Sequence, residues 1–290
     1  MLYKERIFRW MVLIFLAFIW GSSFILMKIG LVKIPHNEMG ALRILIASLA
    51  LLPFGVRHWK SVEPKLWKYL VVVGLCGSGV PAFLFAYAQS HISSSLAGML
   101  NSLVPIFTLL LGIAFFQSGV KIIQIVGVLT GLIGSFFLLY QPGLKFDSNS
   151  WYGLYIVVAT VCYATSVNTI KRYLSHMSSA VITSVSLFTV GPVCGLYLLF
   201  FTGFTERFSF EKDFIISFLC ICTLAIFGTG LAIVVFNMLI KRVSALYASS
   251  VTYLIPVVAI FWGLVDGETI SLIQIGGMTC ILGGIYLINV

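Results

Sequence analysis

Residues 11–27 read MVLIFLAFIWGSSFILM, an apolar run without a charged side chain. A helix of about 20 such residues crosses the hydrocarbon core of a bilayer. The run is longer than the roughly 7–15-residue core of a signal peptide, and no small-residue cleavage pattern follows it. We therefore interpret it as the first membrane span.

Similar runs fill the rest of the chain. Of its 290 residues, 60% are hydrophobic and 9% are charged, whereas a soluble domain carries about 25% charged residues. Turn and charge signals divide the chain into ten predicted spans, near 10–28, 38–56, 67–89, 93–116, 121–140, 151–170, 178–202, 213–239, 244–265 and 270–289. The apolar runs are continuous, not alternating as in a barrel strand. The sequence therefore predicts an all-α polytopic membrane protein with ten transmembrane helices and no room for a soluble catalytic domain.

The formal net charge of +9 comes from cations in short clusters between the apolar runs. With the amino terminus inside, the inner side holds Lys4, Arg6, Arg9, Arg57, Lys60, Lys65, Lys68, Lys121, Lys171, Arg172, Lys241 and Arg242. The outer side holds Lys33, Lys145, Arg207 and Lys212. This asymmetry predicts that both termini are cytoplasmic. Because the cations do not line one groove, the pattern argues against nucleic-acid binding.

The motifs of ATP hydrolysis, zinc proteases and serine hydrolases are missing from the sequence. Its four histidines lie in or beside loops without metal-ligand spacing, and its six cysteines lie inside apolar runs without a C-x-x-C pair. We interpret the histidines as solvated or interfacial and the cysteines as small core residues. The sequence thus predicts a protein that is not an enzyme and holds neither metal nor cofactor.

The two halves of the chain resemble each other. Residues 20–23, followed by Lys28, parallel residues 163–166, followed by Lys171. Further matches join Ser93, Pro105 and Gly112 to Ser244, Pro256 and Gly263, and Gly127 and Gly134 to Gly277 and Gly284. Each repeat has five spans, an odd number, so residues 151–290 should cross the membrane in the opposite sense from residues 1–140. Inverted repeats are typical of secondary transporters with a site at the repeat interface.

Several short motifs resemble the EamA family of the drug/metabolite transporter superfamily. They are residues 19–24 in span 1, residues 41–43 in span 2, the prolines of spans 4 and 9, and residues 267–268 before the last span. The resemblance covers essentially the whole chain as two tandem repeats. It implies a five-plus-five inverted repeat, a central cavity and export of amino acids or other small metabolites. Two positions depart from internal symmetry, because Gln117 replaces Glu268 and Ser186 replaces Arg43 in the other copy.

Arg43 is the strongest single candidate for a functional residue. Inserting an arginine into the membrane within a span costs about 2.5–3.5 kcal/mol, so such a residue normally faces the helix bundle or a water-filled cavity. It could bind an anionic group of a substrate, such as a carboxylate. Alternatively, it could reach the outer surface or pair with Glu38 or Glu268.

Polar and aromatic residues inside the spans are candidates for the cavity wall. They are Trp20, Ser23, Tyr87, Gln89, Asn101, Tyr163, Ser166, Asn168, Asn237, Thr252 and Tyr253. Together they would offer aromatic walls with amide and hydroxyl groups. The alternative is that they join packed helices, for about 0.6 kcal/mol each.

Pro105 and Pro256 stand at equivalent places in spans 4 and 9. Because an interior proline removes a helix hydrogen bond and bends the helix, they could act as hinges or as static bends. The glycines of spans 5 and 10 predict close helix packing within the monomer or in a weak homo-oligomer.

Taken together, the sequence predicts an inner-membrane secondary transporter that exports a small metabolite, with an amino acid or related compound favoured. Its partners would be the small-molecule substrate and the lipid bilayer. An uptake carrier for a vitamin, nucleoside or nucleotide-sugar-like solute is the alternative within transport. A structural membrane subunit is the alternative outside it.

Overall fold

The computed structural model describes residues 2–139, 150–265 and 271–289. Within these ranges the chain is helical, without a β-strand. The first half contains α1 (Leu2–Gly30), α2 (His36–Ala50), α3 (Leu52–His58), α4 (Trp67–Gly74), α5 (Val80–Gln89), α6 (Ser94–Asn101), α7 (Val104–Phe116) and α8 (Ile122–Leu139). The second half contains α9 (Gly153–Tyr173), α10 (Ser179–Phe201), α11 (Phe204–Arg207), α12 (Lys212–Thr223), α13 (Ala232–Arg242), α14 (Ala245–Ser249), α15 (Val251–Val265) and α16 (Leu272–Ile288).

Six helical segments of the described chain are long and apolar enough to cross a membrane. The pair α2 and α3 is bent by 61° and passes the same test when its two helices are taken together. Three shorter apolar helices lie at Ile122–Phe137, Ala245–Val258 and Leu272–Ile288. The chain is therefore an all-helical polytopic membrane protein.

Large apolar side chains cover the outside of the helices, as contact with lipid requires. Leu110 is 52% exposed, Val193 63% and Phe200 74%. Every backbone polar group inside a bilayer must be satisfied within the protein, and helices satisfy theirs internally. The apolar surface and the hydrogen-bonded helical backbone are therefore both suited to the interior of a bilayer.

Two of the long helical segments contain a π-helical turn. Leu75–Gly79 joins α4 to α5, and Leu224–Leu231 joins α12 to α13. The two turns contain corresponding sequences, Gly77-Ser78-Gly79 and Gly228-Thr229-Gly230. Such turns widen a helix locally and are frequent at functional sites.

Pro105 and Pro256 both lie in the middle of their spans, as predicted, but they differ in their local setting. Pro105 is the second residue of α7, which begins after a break at Ser102 and Leu103. In a first helical turn the missing N–H of proline costs no helix hydrogen bond. Pro256 does lie inside α15, which begins after a break at Ser250.

Glycines bring α8 and α16 into direct backbone contact. A Cβ added to Gly127 would lie 2.7 Å from the carbonyl oxygen of Gly284, and one added to Gly134 would lie 2.7 Å from that of Gly277. Small residues let membrane helices approach this closely. The predicted packing role is confirmed for these four glycines, and the partner helix belongs to the same chain. Within the chain it is wrong for Gly276 and Gly283, where an added Cβ has no atom within 4 Å.

Candidate functional site

A cavity of about 120 Å³ lies between the helices of the two halves. This volume is comparable to the roughly 150 Å³ of an engineered protein cavity that binds benzene. Its wall is built from α1, α2, α4 to α7, α9, α10 and α13 to α15, together with both π-helical turns. The cavity therefore has the size of a small metabolite and touches most of the helices of the fold.

Eight of the predicted site residues line this cavity. They are Trp20, Ser23, Arg43, Asn101, Tyr163, Ser166, Asn237 and Thr252. The other four predicted polar or aromatic residues, Tyr87, Gln89, Asn168 and Tyr253, do not line it.

Asn168 and Tyr253 lie in helix interfaces and not on the cavity wall. The side-chain amide of Asn168 donates to the carbonyl oxygens of Thr108 and Ala164, at 3.0 Å each. The hydroxyl of the fully buried Tyr253 donates to the carbonyl oxygen of Val128 at 2.8 Å. Both residues join helices, which was the alternative interpretation of polar side chains in spans.

Tyr87 and Gln89 lie at the end of α5, also away from the cavity wall. The ring of Tyr87 contacts His36, His91 and Tyr155 at centroid distances of 4.9, 5.0 and 4.9 Å. The side-chain amide of Gln89 donates to the hydroxyl of Ser94 at 3.1 Å. Tyr87 therefore belongs to an aromatic cluster, and Gln89 joins the end of α5 to the start of α6.

Trp20 and Tyr163 form aromatic parts of the wall from corresponding positions in α1 and α9. The indole nitrogen of Trp20 donates to the carbonyl oxygen of Gly228 at 2.9 Å, and its ring lies 5.1 Å from that of Phe236, edge to face. The ring of Tyr163 lies 6.0 Å from that of Phe85. The hydrogen bond of Trp20 fixes α1 against the second π-helical turn.

Arg43 faces the cavity from α2. Its Nε donates to the hydroxyl of Thr229 at 2.7 Å, and it forms no ion pair within the described residues. The suggested partner Glu38 is 1% exposed and pairs with Arg207 instead. Five residues turn a helix by about 140° beyond a full turn, so Glu38 and Arg43 point in different directions. The other suggested partner, Glu268, lies outside the described residues.

The sequence interpretation missed the wall residues of the π-helical turns. Gly77 and Ser78 line the cavity from the first turn, and Gly228 and Thr229 from the second. Gly77 and Gly228 are separated by the same number of residues as Ser93 and Ser244. The internal repeat could therefore have identified these turns. A Cβ added to Gly77 would lie 2.6 Å from the hydroxyl of Ser166, which shows how closely α9 approaches this turn.

Most of the cavity wall consists of corresponding positions from the two halves. The pairs are Trp20 and Tyr163, Ser23 and Ser166, Phe24 and Val167, Met27 and Ile170, Arg43 and Ser186, Gly77 and Gly228, Ser78 and Thr229, Phe85 and Phe236, Asn101 and Thr252, and Val104 and Ile255. The cavity is therefore framed by the same helix positions on both sides.

Among the described residues that line the cavity, Arg43 alone carries a charge. No group of three or more potential metal ligands occurs in the parts of the chain that the structure describes. The wall combines one guanidinium, hydroxyl and amide groups, and aromatic rings. This chemistry can bind an anionic or polar molecule.

Curated relatives match nearly the full length of the chain. An uncharacterized inner membrane transporter, YedA of Escherichia coli strain K12, is 26% identical over 285 residues, covering 94% of this chain and 88% of the relative. An uncharacterized transporter, YoaV of Bacillus subtilis strain 168, is 24% identical and covers 95% and 94%. An uncharacterized transporter of Archaeoglobus fulgidus is 26% identical and covers 97% and 98%.

A solved crystal structure shares the fold, with a TM-score of 0.73 at 18% identity, covering 96% of this chain and 94% of the other. The model of the EamA-like transporter family matches twice, over residues 8–140 and 150–290. The two matches together span nearly the whole sequence and divide it where the internal repeat does. The chain belongs to the EamA-like transporter family.

Proposed function

We propose that this chain is a secondary transporter that carries a small metabolite with an anionic group through the central cavity by alternating access. Amino acids and related compounds, aromatic ones included, are the favoured substrates, and export is the favoured direction. The observation that carries the proposal is the cavity wall itself, where paired positions of the two halves surround a single guanidinium. A structural subunit has no need for such a lined hollow.

The architecture we propose is ten spans in a five-plus-five inverted repeat. The packing of the helices supports it. Helix α1 packs on α15, and the corresponding helix of the second half, α9, packs on α7. Helices α2 and α10 correspond and pack on each other, as do α8 and α16. Two copies related by a two-fold axis in the membrane plane produce these pairs, and rocking of one copy against the other would alternate access.

We place the protein in the inner membrane with both termini in the cytoplasm. Twelve cations on the predicted inner side against four on the outer side support this orientation. The relative from Escherichia coli named as an inner membrane transporter supports the location.

Substitution of Arg43 tests the proposal. In proteoliposomes that contain only this chain, a metabolite mixture should give substrate-dependent flux, and Arg43→Ser should lower that flux at least tenfold. Charged hydrogen bonds contribute about 1.5–3 kcal/mol, and Arg43→Lys should lose part of this because lysine cannot bind a carboxylate in two places.

The matched control is Arg57→Ser, the same change at an exposed position of α3. It should leave flux unchanged. Equal flux for the Arg43→Ser and unsubstituted proteins would remove Arg43 from substrate binding, and absence of flux for all metabolites would contradict the transport proposal.

A further inference from the structure

Two cysteines from different halves of the chain lie side by side. Cys76 belongs to the first π-helical turn and Cys162 to α9, and their thiols lie within hydrogen-bonding reach of each other. The two helical segments that carry them are Pro64–Gln89 and Gly153–Tyr173, and each cysteine stands near the middle of its segment. The pair therefore lies at the depth of the hydrocarbon core, where the two halves meet.

The backbones approach as closely at this point as a disulfide requires. A Cβ added to Gly77, the neighbour of Cys76, would lie 3.3 Å from the Cβ of Ser166, which is one helical turn beyond Cys162. The Cβ atoms of a disulfide are about 3.5–4.5 Å apart. An S–S bond between Cys76 and Cys162 therefore fits between the turn and α9 without a large movement of either.

Lipid, and not the cavity, adjoins this pair. Neither cysteine lines the cavity, and both side chains are partly exposed. Val158, four residues before Cys162, is 52% exposed, and Val80, four residues after Cys76, is 38% exposed. Because the exposed sides of these segments face hydrocarbon at this depth, a molecule that reaches the two thiols comes from the membrane interior.

The matching contact of the other repeat is built without cysteine. Phe227 and Ile19 occupy the positions that correspond to Cys76 and Cys162. There the indole nitrogen of Trp20 donates a hydrogen bond to a carbonyl oxygen of the second π-helical turn. The repeat therefore does not require cysteine at these positions, and the packing of a helix on a π-helical turn does not by itself explain the pair.

We propose that Cys76 and Cys162 form an oxidation site, at which an apolar organic hydroperoxide dissolved in the membrane produces a disulfide that stops transport. In the first step the sulfur of one cysteine attacks a peroxide oxygen, the O–O bond breaks, and the thiol proton passes to the leaving alkoxide. The products are an alcohol and a sulfenic acid. The second thiol then attacks the sulfenic sulfur, which forms the S–S bond and releases water. The two thiols are oxidised by two electrons, and the hydroperoxide is reduced to alcohol and water.

The effect on transport follows from the position of the bond and rests on the proposed alternating access. The disulfide would join the first half of the chain to the second. Movement of one repeat against the other changes access to the cavity, so a covalent bond between them should hold the protein in one state. Reduction of the bond should release it.

A variant that keeps only Cys76 and Cys162, with the other four cysteines replaced by serine, tests the site in proteoliposomes. Cumene hydroperoxide should produce disulfide-linked peptides, which mass spectrometry detects after digestion without a reducing agent. The same linked peptides should form in the unsubstituted protein. At equal concentration, hydrogen peroxide should link the two residues more slowly, because it stays mainly in water.

The matched control is a variant that keeps only Cys220 and Cys222. These thiols are also partly exposed, but both belong to α12, and residues two apart on a helix point in different directions. We expect linkage of Cys76 to Cys162 to be at least tenfold faster than linkage of the control pair.

Transport of the metabolite mixture is the second measurement. Linkage should lower the flux at least tenfold, and dithiothreitol should restore it. The single variants Cys76→Ser and Cys162→Ser, treated with cumene hydroperoxide in the same way, should keep their flux because neither can form the bond.

Absence of the linked peptides, equal linkage of the control pair, or faster linkage by hydrogen peroxide would overturn the proposed oxidation site. A linked protein with unchanged flux would overturn its effect on transport. If the untreated protein gives no flux with any metabolite, the transport proposal fails instead, and the linked peptides still decide whether the oxidation site exists.

Discussion

The first and second halves contribute to the cavity from the same helix positions but with different chemistry. Glycines of the π-helical turns, the serines Ser23 and Ser166, and the phenylalanines Phe85 and Phe236 are conserved between the halves. The strongest polar groups are not, because arginine and asparagine in the first half correspond to serine and threonine in the second. The residues that are the same in both halves shape the cavity and its helix contacts. The residues that differ make one side of the cavity more polar than the other. A ligand with two different ends fits such a wall better than a symmetric one.

The glycine contacts between α8 and α16 occur in both halves, and we expect substitutions there to cause the largest loss of stability. A Cβ on Gly284 would lie 2.6 Å from the carbonyl oxygen of Gly127 and the amide nitrogen of Gly131. Gly284→Ala should therefore force the helices apart and destabilise the protein by about 1–3 kcal/mol. Thermal unfolding of the purified protein in detergent measures the change.

The neighbouring residue provides the control. Gly283 has no atom within 4 Å of an added Cβ, and alanine is a better helix former than glycine by about 1 kcal/mol. Gly283→Ala should thus be neutral or stabilising. Similar destabilisation by both variants would contradict the described packing of α8 on α16.

The ion pair between Glu38 and Arg207 has no counterpart in the second copy. We expect its loss to lower stability by an intermediate amount. Glu38 is buried, whereas the side chain of Arg207 is 50% exposed, and the second copy has Val181 at the position of Glu38. Arg207→Gln would leave the carboxylate without its partner. Loss of one partner of a buried pair costs about 3–5 kcal/mol, and solvent screening of Arg207 should reduce this to about 1–2 kcal/mol.

The double variant Glu38→Gln, Arg207→Gln is the matched control, because it removes both charges. It should recover most of the melting temperature lost in Arg207→Gln. If the double variant is as unstable as the single one, the stability of this region does not depend on pairing of the two charges.

Trp20 should give the smallest effect. Trp20→Tyr introduces the residue of the second copy and removes the 2.9 Å hydrogen bond to Gly228, which contributes about 1 kcal/mol. We expect the melting temperature to fall by about 2–4 °C. The comparison variant Tyr163→Phe retains the aromatic ring and should change it less. A larger fall in melting temperature for Tyr163→Phe than for Trp20→Tyr would contradict this expectation. It would mean that the hydroxyl of Tyr163 stabilises the protein more than the hydrogen bond of Trp20 does.

The sequence predicted the helices and much of the site because hydropathy and repetition follow directly from the membrane environment. It could not rank Asn101 above Asn168, because both are amides inside apolar spans. Their roles depend on how each helix is rotated about its axis, which packing decides. Pro105 shows the same limit, since proline spacing does not reveal whether a helix breaks before it. The link between Arg43 and Thr229 joins residues far apart in sequence, and no local pattern indicates it.

Access to the corresponding residues Ser23 and Ser166 from the two sides of the membrane tests the central claim most directly. Each would be changed to cysteine in a protein whose six native cysteines are replaced by serine, and labelled with a membrane-impermeant thiol reagent applied from either side. Alternating access through one shared cavity predicts that both positions react from both sides and that substrate protects them, while Leu110→Cys on the lipid-exposed surface does not react. Reaction from one side only, or reaction that substrate leaves unchanged, would contradict the account.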